Sequence, residues 1–148
     1  MTKNGITIRH SILIAKSREL VWDYTQNYVN RPIWDHSIIE TTVLQTIPSR
    51  MVKLKMRGNT TMTFIYKHNE RPHMTTLVAK DIQSYIILSA GGSWRYEEQN
   101  GKTLWTQTNT IAFKKNFLLV FLLPIYKYIF SWMLKKAMWK AKQEIEKL

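Results

Sequence analysis

Cysteine is absent from the 148-residue chain. That excludes a disulfide framework, a cysteine nucleophile and thiolate metal sites. It also fits a cytoplasmic protein, since oxidising compartments favour cystine-bearing chains. Metal-site spacing is lacking too. The histidines are His10, His36, His68 and His73; no pair of them shows the His-x-x-x-His spacing of a helical metal site, and Glu70-Arg71-Pro72-His73, which has Glu-x-x-His spacing, spans a predicted turn rather than a helix. There is no Gly-x-Ser-x-Gly elbow and no glycine-rich phosphate loop. Metal-dependent and nucleotide-dependent catalysis are therefore disfavoured, and no cofactor is expected. Met1 to Gly5 lacks the apolar run of a secretory signal. No repeat and no linker interrupts the chain, so residues 1–148 read as one domain.

Acidic residues are scarce. Asp and Glu number 10 against 22 Lys and Arg, a formal net charge of +12. Such a surface attracts anions, whether nucleic acid, acidic lipid headgroups or an acidic partner. The charges are spread along the chain rather than gathered in one tract, which also fits a merely lysine-rich soluble surface. Apolar residues make up 45%, enough for a real core.

Ile6 to Ile14 alternates, with Ile6, Ile8, His10, Ile12 and Ile14 on one face, as in a half-buried strand. Ser17 reads as the N-cap of a helix from Arg18 to about Tyr28. Pro32 suits the first turn of a second, short helix reaching about Ser37. From Ile38 to Phe113 the pattern is β throughout, with turns at Pro48, Gly58-Asn59, Pro72 and Asn100-Gly101. Gly91-Gly92 inside a strand pattern predicts a bulge. One sheet face is apolar and the other basic, as for a sheet covered on one side. Asn116 to Leu148 is helical, with Pro124 expected to kink it or mark a restart. At 100° per residue, a stripe from Tyr126 and Phe130 through Leu134, Met138 and Ile145 to Leu148 should cover the sheet.

The order strand, two helices, six strands, long helix resembles the SRPBCC or START-like superfamily, in its polyketide cyclase/dehydrase-like branch. The resemblance runs from about Ile6 to Leu148. It is carried by Ala15-Lys16-Ser17-Arg18-Glu19-Leu20-Val21-Trp22-Asp23, by Trp34-Asp35, by Gly92-Ser93-Trp94-Arg95-Tyr96 and by the apolar, basic-ended last helix. It implies an α+β helix-grip fold: a curved seven-stranded antiparallel sheet around a long C-terminal helix, with two short helices after the first strand. It further implies a cavity between sheet and helix for a lipid or other hydrophobic small molecule.

The alternation agrees with such a cavity. Ile12, Leu54, Met56, Met62, Phe64, Met74 and Trp94 fall on inward positions, with Phe130 and Met133 on the last helix and Trp34 at the mouth. Methionine adapts to varied apolar ligands. His10, Tyr66, Thr76 and Tyr96 are the polar groups placed to orient a ligand. The competing reading is that these residues pack a filled core. His10 is also the one candidate acid–base group, since a desolvated imidazole can move a proton on an enolizable ligand. Asp35 is its conceivable partner; a core histidine with one hydrogen bond is the plainer reading.

The last helix has a second apolar face. Ile125, Tyr128, Trp132 and Trp139 lie opposite the sheet stripe, with Lys135 and Lys136 among them. Tryptophan and lysine together resemble a membrane-interface surface. A homodimer interface and burial against the first helices are the alternatives. A spanning helix over Phe117 to Leu134 has the length. Lys127 near its middle, at about 3 kcal/mol, argues against it, as does Pro124. Two functions follow. One is a binding or transfer module for an apolar ligand, which docking on an anionic membrane would serve. The other is a cyclase or dehydratase acting on a polyketide-like substrate. Nucleic-acid binding rests on charge alone. Lys53, Lys55, Arg57 and Lys67 lack the interleaved aromatics that single-strand binders stack on.

Overall fold

A computed structural model describes residues 4–148. Met1, Thr2 and Lys3 of the polar start lie outside the described residues. The order is β1 (Gly5–Ile14), α1 (Arg18–Gln26), α2 (Arg31–Trp34), β2 (Ile38–Gln45), β3 (Met51–Met56), β4 (Thr60–Glu70), β5 (Met74–Gln83), β6 (Ile87–Gln99), β7 (Lys102–Phe113) and α3 (Phe117–Glu146). The strands form one seven-stranded sheet in the order β1-β7-β6-β5-β4-β3-β2. Every neighbouring pair is antiparallel. The fold class is the α+β arrangement that the sequence implies. Only β1 leaves sequence order, because α1 and α2 carry the chain from one sheet edge to the other.

Local chemistry accounts for the joints. Ser17 caps α1, its Oγ accepting from the Leu20 N–H at 3.4 Å. The helix ends at Gln26, two residues sooner than the pattern predicts, and Tyr28 is buried beyond it. Asn100 and Gly101 have φ of 51° and 77°, the left-handed pair that a two-residue hairpin turn requires. α3 is tied to the end of β1: Lys142 Nζ donates to the Leu13 carbonyl at 2.7 Å, and the Ala15 N–H donates to Glu146 Oε1 at 2.8 Å.

Three expectations need correction. No bulge falls at Gly91-Gly92; the β6–β7 register shifts at Ile87/Ser89 instead. The glycines serve close approach. A Cβ on Gly92 would sit 2.6 Å from the Thr108 carbonyl oxygen, so no larger residue fits without a backbone shift. On β5 the inward face is Thr75 and Leu77, both buried, not Met74 and Thr76. Leu77 stands opposite inward Tyr66 and Thr75 opposite inward Trp94, and facing residues share a side. Third, no restart falls at Pro124, which lies inside the single helix α3. Pro124 and Val120 are on the exposed side, where water can satisfy the Val120 carbonyl that proline leaves without a donor.

The stripe on α3 covers the sheet as predicted from Leu134 to Ile145, where Ala137, Met138 and Ala141 are buried against Trp34, Trp94, Trp105 and Tyr96. Leu148 is exposed. Towards the start of α3, Tyr126 and Phe130 stack on Phe113 at 5.4 and 6.2 Å. The second apolar face is not buried against the first helices. Ile125, Tyr128, Trp132 and Trp139 are each more than half exposed. α3 is long and apolar enough to cross a membrane by length and composition. Only 11% of its most apolar 18-residue window, of mean hydropathy 1.4, is buried within the protein.

Candidate functional site

Sheet and helix do not close on each other completely. A cavity of about 160 Å³ lies between the inward face of the sheet and the middle of α3. Its walls come from all seven strands, α2 and α3, and they are mainly apolar. Of the residues singled out from the sequence, Trp34, Leu54, Met56, Met62, Phe64, Trp94, Phe130 and Met133 line it. Alternation with Lys53 and Lys55 turns Leu54 inward on β3, and the Leu54–Met62 pairing extends the same face to β4.

A groove of about 550 Å³ adjoins the cavity. Both are lined by Asp35, Ser37, Met56, Ile87, Phe130, Met133 and Ala137, so the two spaces lie side by side and share a wall. The outer rim carries His36, Arg57, Tyr85, Trp132 and Lys136. Lys136 Nζ lies 4.9 Å from the Trp132 ring centroid, a cation–π contact.

Asp35 stands where cavity and groove meet. Its Oδ2 accepts from Arg31 Nε at 3.0 Å and Nη2 at 2.8 Å, and its Oδ1 from the Ser37 N–H at 3.1 Å and hydroxyl at 2.6 Å. It therefore pairs locally and does not serve His10. The Arg31 guanidinium lies 4.5 Å from the Trp34 ring and 4.8 Å from the Trp94 ring. A cation thus forms part of the wall with its charge and its flat face both occupied.

At another wall Tyr28 leads into a buried hydroxyl network. Its hydroxyl meets that of Tyr66 at 2.6 Å, and Tyr66 donates to Gln26 Oε1 at 2.9 Å. Gln26 Nε2 donates to the Tyr96 hydroxyl at 3.0 Å, which also meets Thr25 Oγ1 at 2.7 Å. Burial raises the Tyr66 phenol well above its ordinary pKa and raises that of Tyr96 too, so both stay neutral. Tyr66 and Tyr96 are in the core as expected, but behind the cavity wall rather than on it.

Four other residues singled out from the sequence also lie off the cavity. Met74 and Thr76 are on the opposite sheet face, opposite Arg95 and Ser93. Ile12 packs on the tryptophan cluster. His10 keeps its inward parity but lies on the edge strand, half-buried. Burial lowers its pKa, and the charge of Lys135 lowers it further. It borders neither cavity nor groove.

The sequence reading missed Gln107, which is 1% exposed and lines the cavity opposite Trp94 on β6. A signal was present, because Gln107 shares strand parity with Trp105. Its Nε2 has no hydrogen-bond partner, and neither does Nε1 of Trp34, a residue with no exposed surface.

Solved structures with the same architecture show little sequence likeness. A protein from Thermus thermophilus superposes with a TM-score of 0.81 at 9% identity, covering 95% of this chain and 97% of that one. The Zhui aromatase/cyclase from Streptomyces sp. R1128 gives 0.80 at 12%, covering 96% and 94%. A START superfamily protein from Mycobacterium smegmatis gives 0.77 at 11%, covering 95% and 97%. This chain has the START-like helix-grip fold. No family model and no curated protein matches the sequence. At these identities the likeness is one of fold, and the START-like frame explains why a cavity sits between sheet and last helix without saying what fills it.

Proposed function

We propose that this chain binds an apolar small molecule or lipid in the cavity and exchanges it at an anionic membrane through the groove. The observation that carries the first part is the apolar cavity with a groove directly beside it. A well-packed core has few voids larger than a water molecule, and apolar cavities of about 150 Å³ take up benzene. Ligand sites of roughly 300–1,000 Å³ are reached once the groove contributes. Trp34, Leu54, Met56, Met62, Phe64, Trp94, Phe130 and Met133 are the contacts. Titration with a fluorescent fatty acid tests this; a folded sample that binds neither it nor any other apolar probe defeats the reading.

The second part rests on what surrounds the mouth. Trp132 and Lys136 belong both to the groove rim and to the exposed face of α3. Tyr128, Trp139 and Lys135 continue that face, and Tyr85, 82% exposed, stands on the rim. Aromatic rings at headgroup depth with lysines beside them favour anionic lipid, and the net charge of +12 acts in the same direction. Flotation with phosphatidylcholine vesicles, with and without phosphatidylserine, is the test. Binding that needs phosphatidylserine and drops in Trp132→Ala/Trp139→Ala supports docking. A stable dimer that buries this face and ignores vesicles refutes it, and resistance to carbonate extraction would mean a spanning helix instead. Cyclase or dehydratase chemistry has lost its candidate base, because His10 borders neither space.

A further inference from the structure

The groove beside the cavity is large enough, at about 550 Å³, to be a ligand site in its own right. Its floor is apolar, with Met56, Ile86, Ile87, Phe130, Met133 and Ala137. Its free charges are all positive. Arg57, from the β3–β4 turn, and Lys136, from α3, both line it, and both residues are exposed, so a ligand oxygen can reach them. Neither has a carboxylate partner among the described residues. Asp35 is the one acid among the residues that line the groove, and both of its oxygens are taken by Arg31 and Ser37.

Arg57 is fixed at two points. Its backbone N–H donates to the Ser37 carbonyl at 3.0 Å, and its Nε donates to the His36 carbonyl at 2.7 Å. These bonds pin the turn to the segment after α2. They leave Nη1 and Nη2 without a protein partner, and a guanidinium fork of this kind takes two oxygens of a carboxylate or phosphate. Lys136 rests on the Trp132 ring, which attracts the ammonium without neutralising it. A neutral occupant that covered both cations would strip their water and replace it with nothing. Resting on the proposal that the chain takes an apolar molecule, we infer that the groove binds an amphipathic acid, with its carboxylate or phosphate head at Arg57 and Lys136 and its tail on the apolar floor.

The test compares decanoate and decyl phosphate with 1-decanol, which shares their chain and carries no charge. Affinities are measured at neutral pH without membranes, at concentrations where the compounds do not aggregate. NMR titration is run on the natural chain, Arg57→Gln, Lys136→Gln and the double variant. Methyl signals locate the ligand, because Ile86 lines the groove only and Met62 the cavity only. The ratio of each acid's dissociation constant to that of decanol should rise about threefold in each single variant and about tenfold in the double variant, the size of exposed ion pairs. The acid whose ratio rises further identifies the head as carboxylate or phosphate. Added salt should weaken both acids relative to decanol. Both substituted residues are exposed, so the variants should fold. Ratios within twofold of the natural value in the double variant, or shifts at Met62 with none at Ile86, overturn the acid site while leaving apolar binding intact. If none of the three compounds binds the folded natural chain, the apolar-ligand reading beneath it fails.

Discussion

Ala137→Leu is the most informative single substitution. Ala137 is buried on α3 and lines both the cavity and the groove, so a larger side chain there takes up part of that space. Engineered cavities destabilise by about 24 cal/mol per Å³. For a dry space of about 160 Å³ that is a cost of about 4 kcal/mol relative to a filled core. Leucine adds three carbons at about 0.8 kcal/mol each when buried, which offsets about half of that cost. Helix propensity scarcely changes between the two residues. Ala137→Leu should therefore stabilise the unliganded protein by about 2 kcal/mol and raise its melting temperature by about 4–8 °C for a chain of this size. It should also weaken an apolar probe at least tenfold by occupying the probe's place. Urea unfolding and probe titration on the same samples measure both. A loss of about 1–3 kcal/mol, the usual result of overpacking a full core, would refute the reasoning, because the space would then not be available to a ligand either.

Asp35→Ala strands the Arg31 guanidinium between Trp34 and Trp94 and should cost about 3 kcal/mol, as for a buried pair broken on one side, by urea unfolding; Asp35→Asn should cost less. Tyr66→Phe leaves the Tyr28 hydroxyl and Gln26 Oε1 each without their Tyr66 partner and should cost about 1–3 kcal/mol in the same assay. His10 should titrate below 6.5 by NMR, because burial and Lys135 both disfavour its charged form, and Lys135→Ala should raise the midpoint part of the way back. The unfolded chain takes up this proton first as pH falls. Stability should therefore decline as pH drops through 6.5 towards the folded value and be flat above it.

The parts of this fold that were legible in the sequence are those where polarity alternates cleanly. Lys53 and Lys55 against Val52 and Leu54 leave a single parity open to β3, and the register carries it into β4. The buried stripe of α3 and its exposed tryptophan face were both readable because thirty helical residues show several turns of each. β5 was not legible in the same way. Met-Thr-Thr-Leu-Val-Ala offers an apolar set at either parity, and threonine sits on both. Only pairing with Tyr66 and Trp94 decides for Thr75 and Leu77. His10 illustrates another limit: its parity was right, but which part of the inward face borders the cavity depends on where α3 crosses, and alternation does not report that. Gln107 was missed for a related reason. A lone amide among threonines looks like solvent-facing strand until Trp94 and Trp105 are seen to share its face.

Binding of an apolar ligand is tested most directly by native mass spectrometry of the folded full chain, as purified and after incubation with a fluorescent fatty acid and with acetophenone. Any retained mass is released by organic extraction and identified. One apolar molecule per chain, retained by the natural protein and lost in Ala137→Leu, is the predicted result. A chain that carries nothing from the cell and retains none of the added compounds would contradict it.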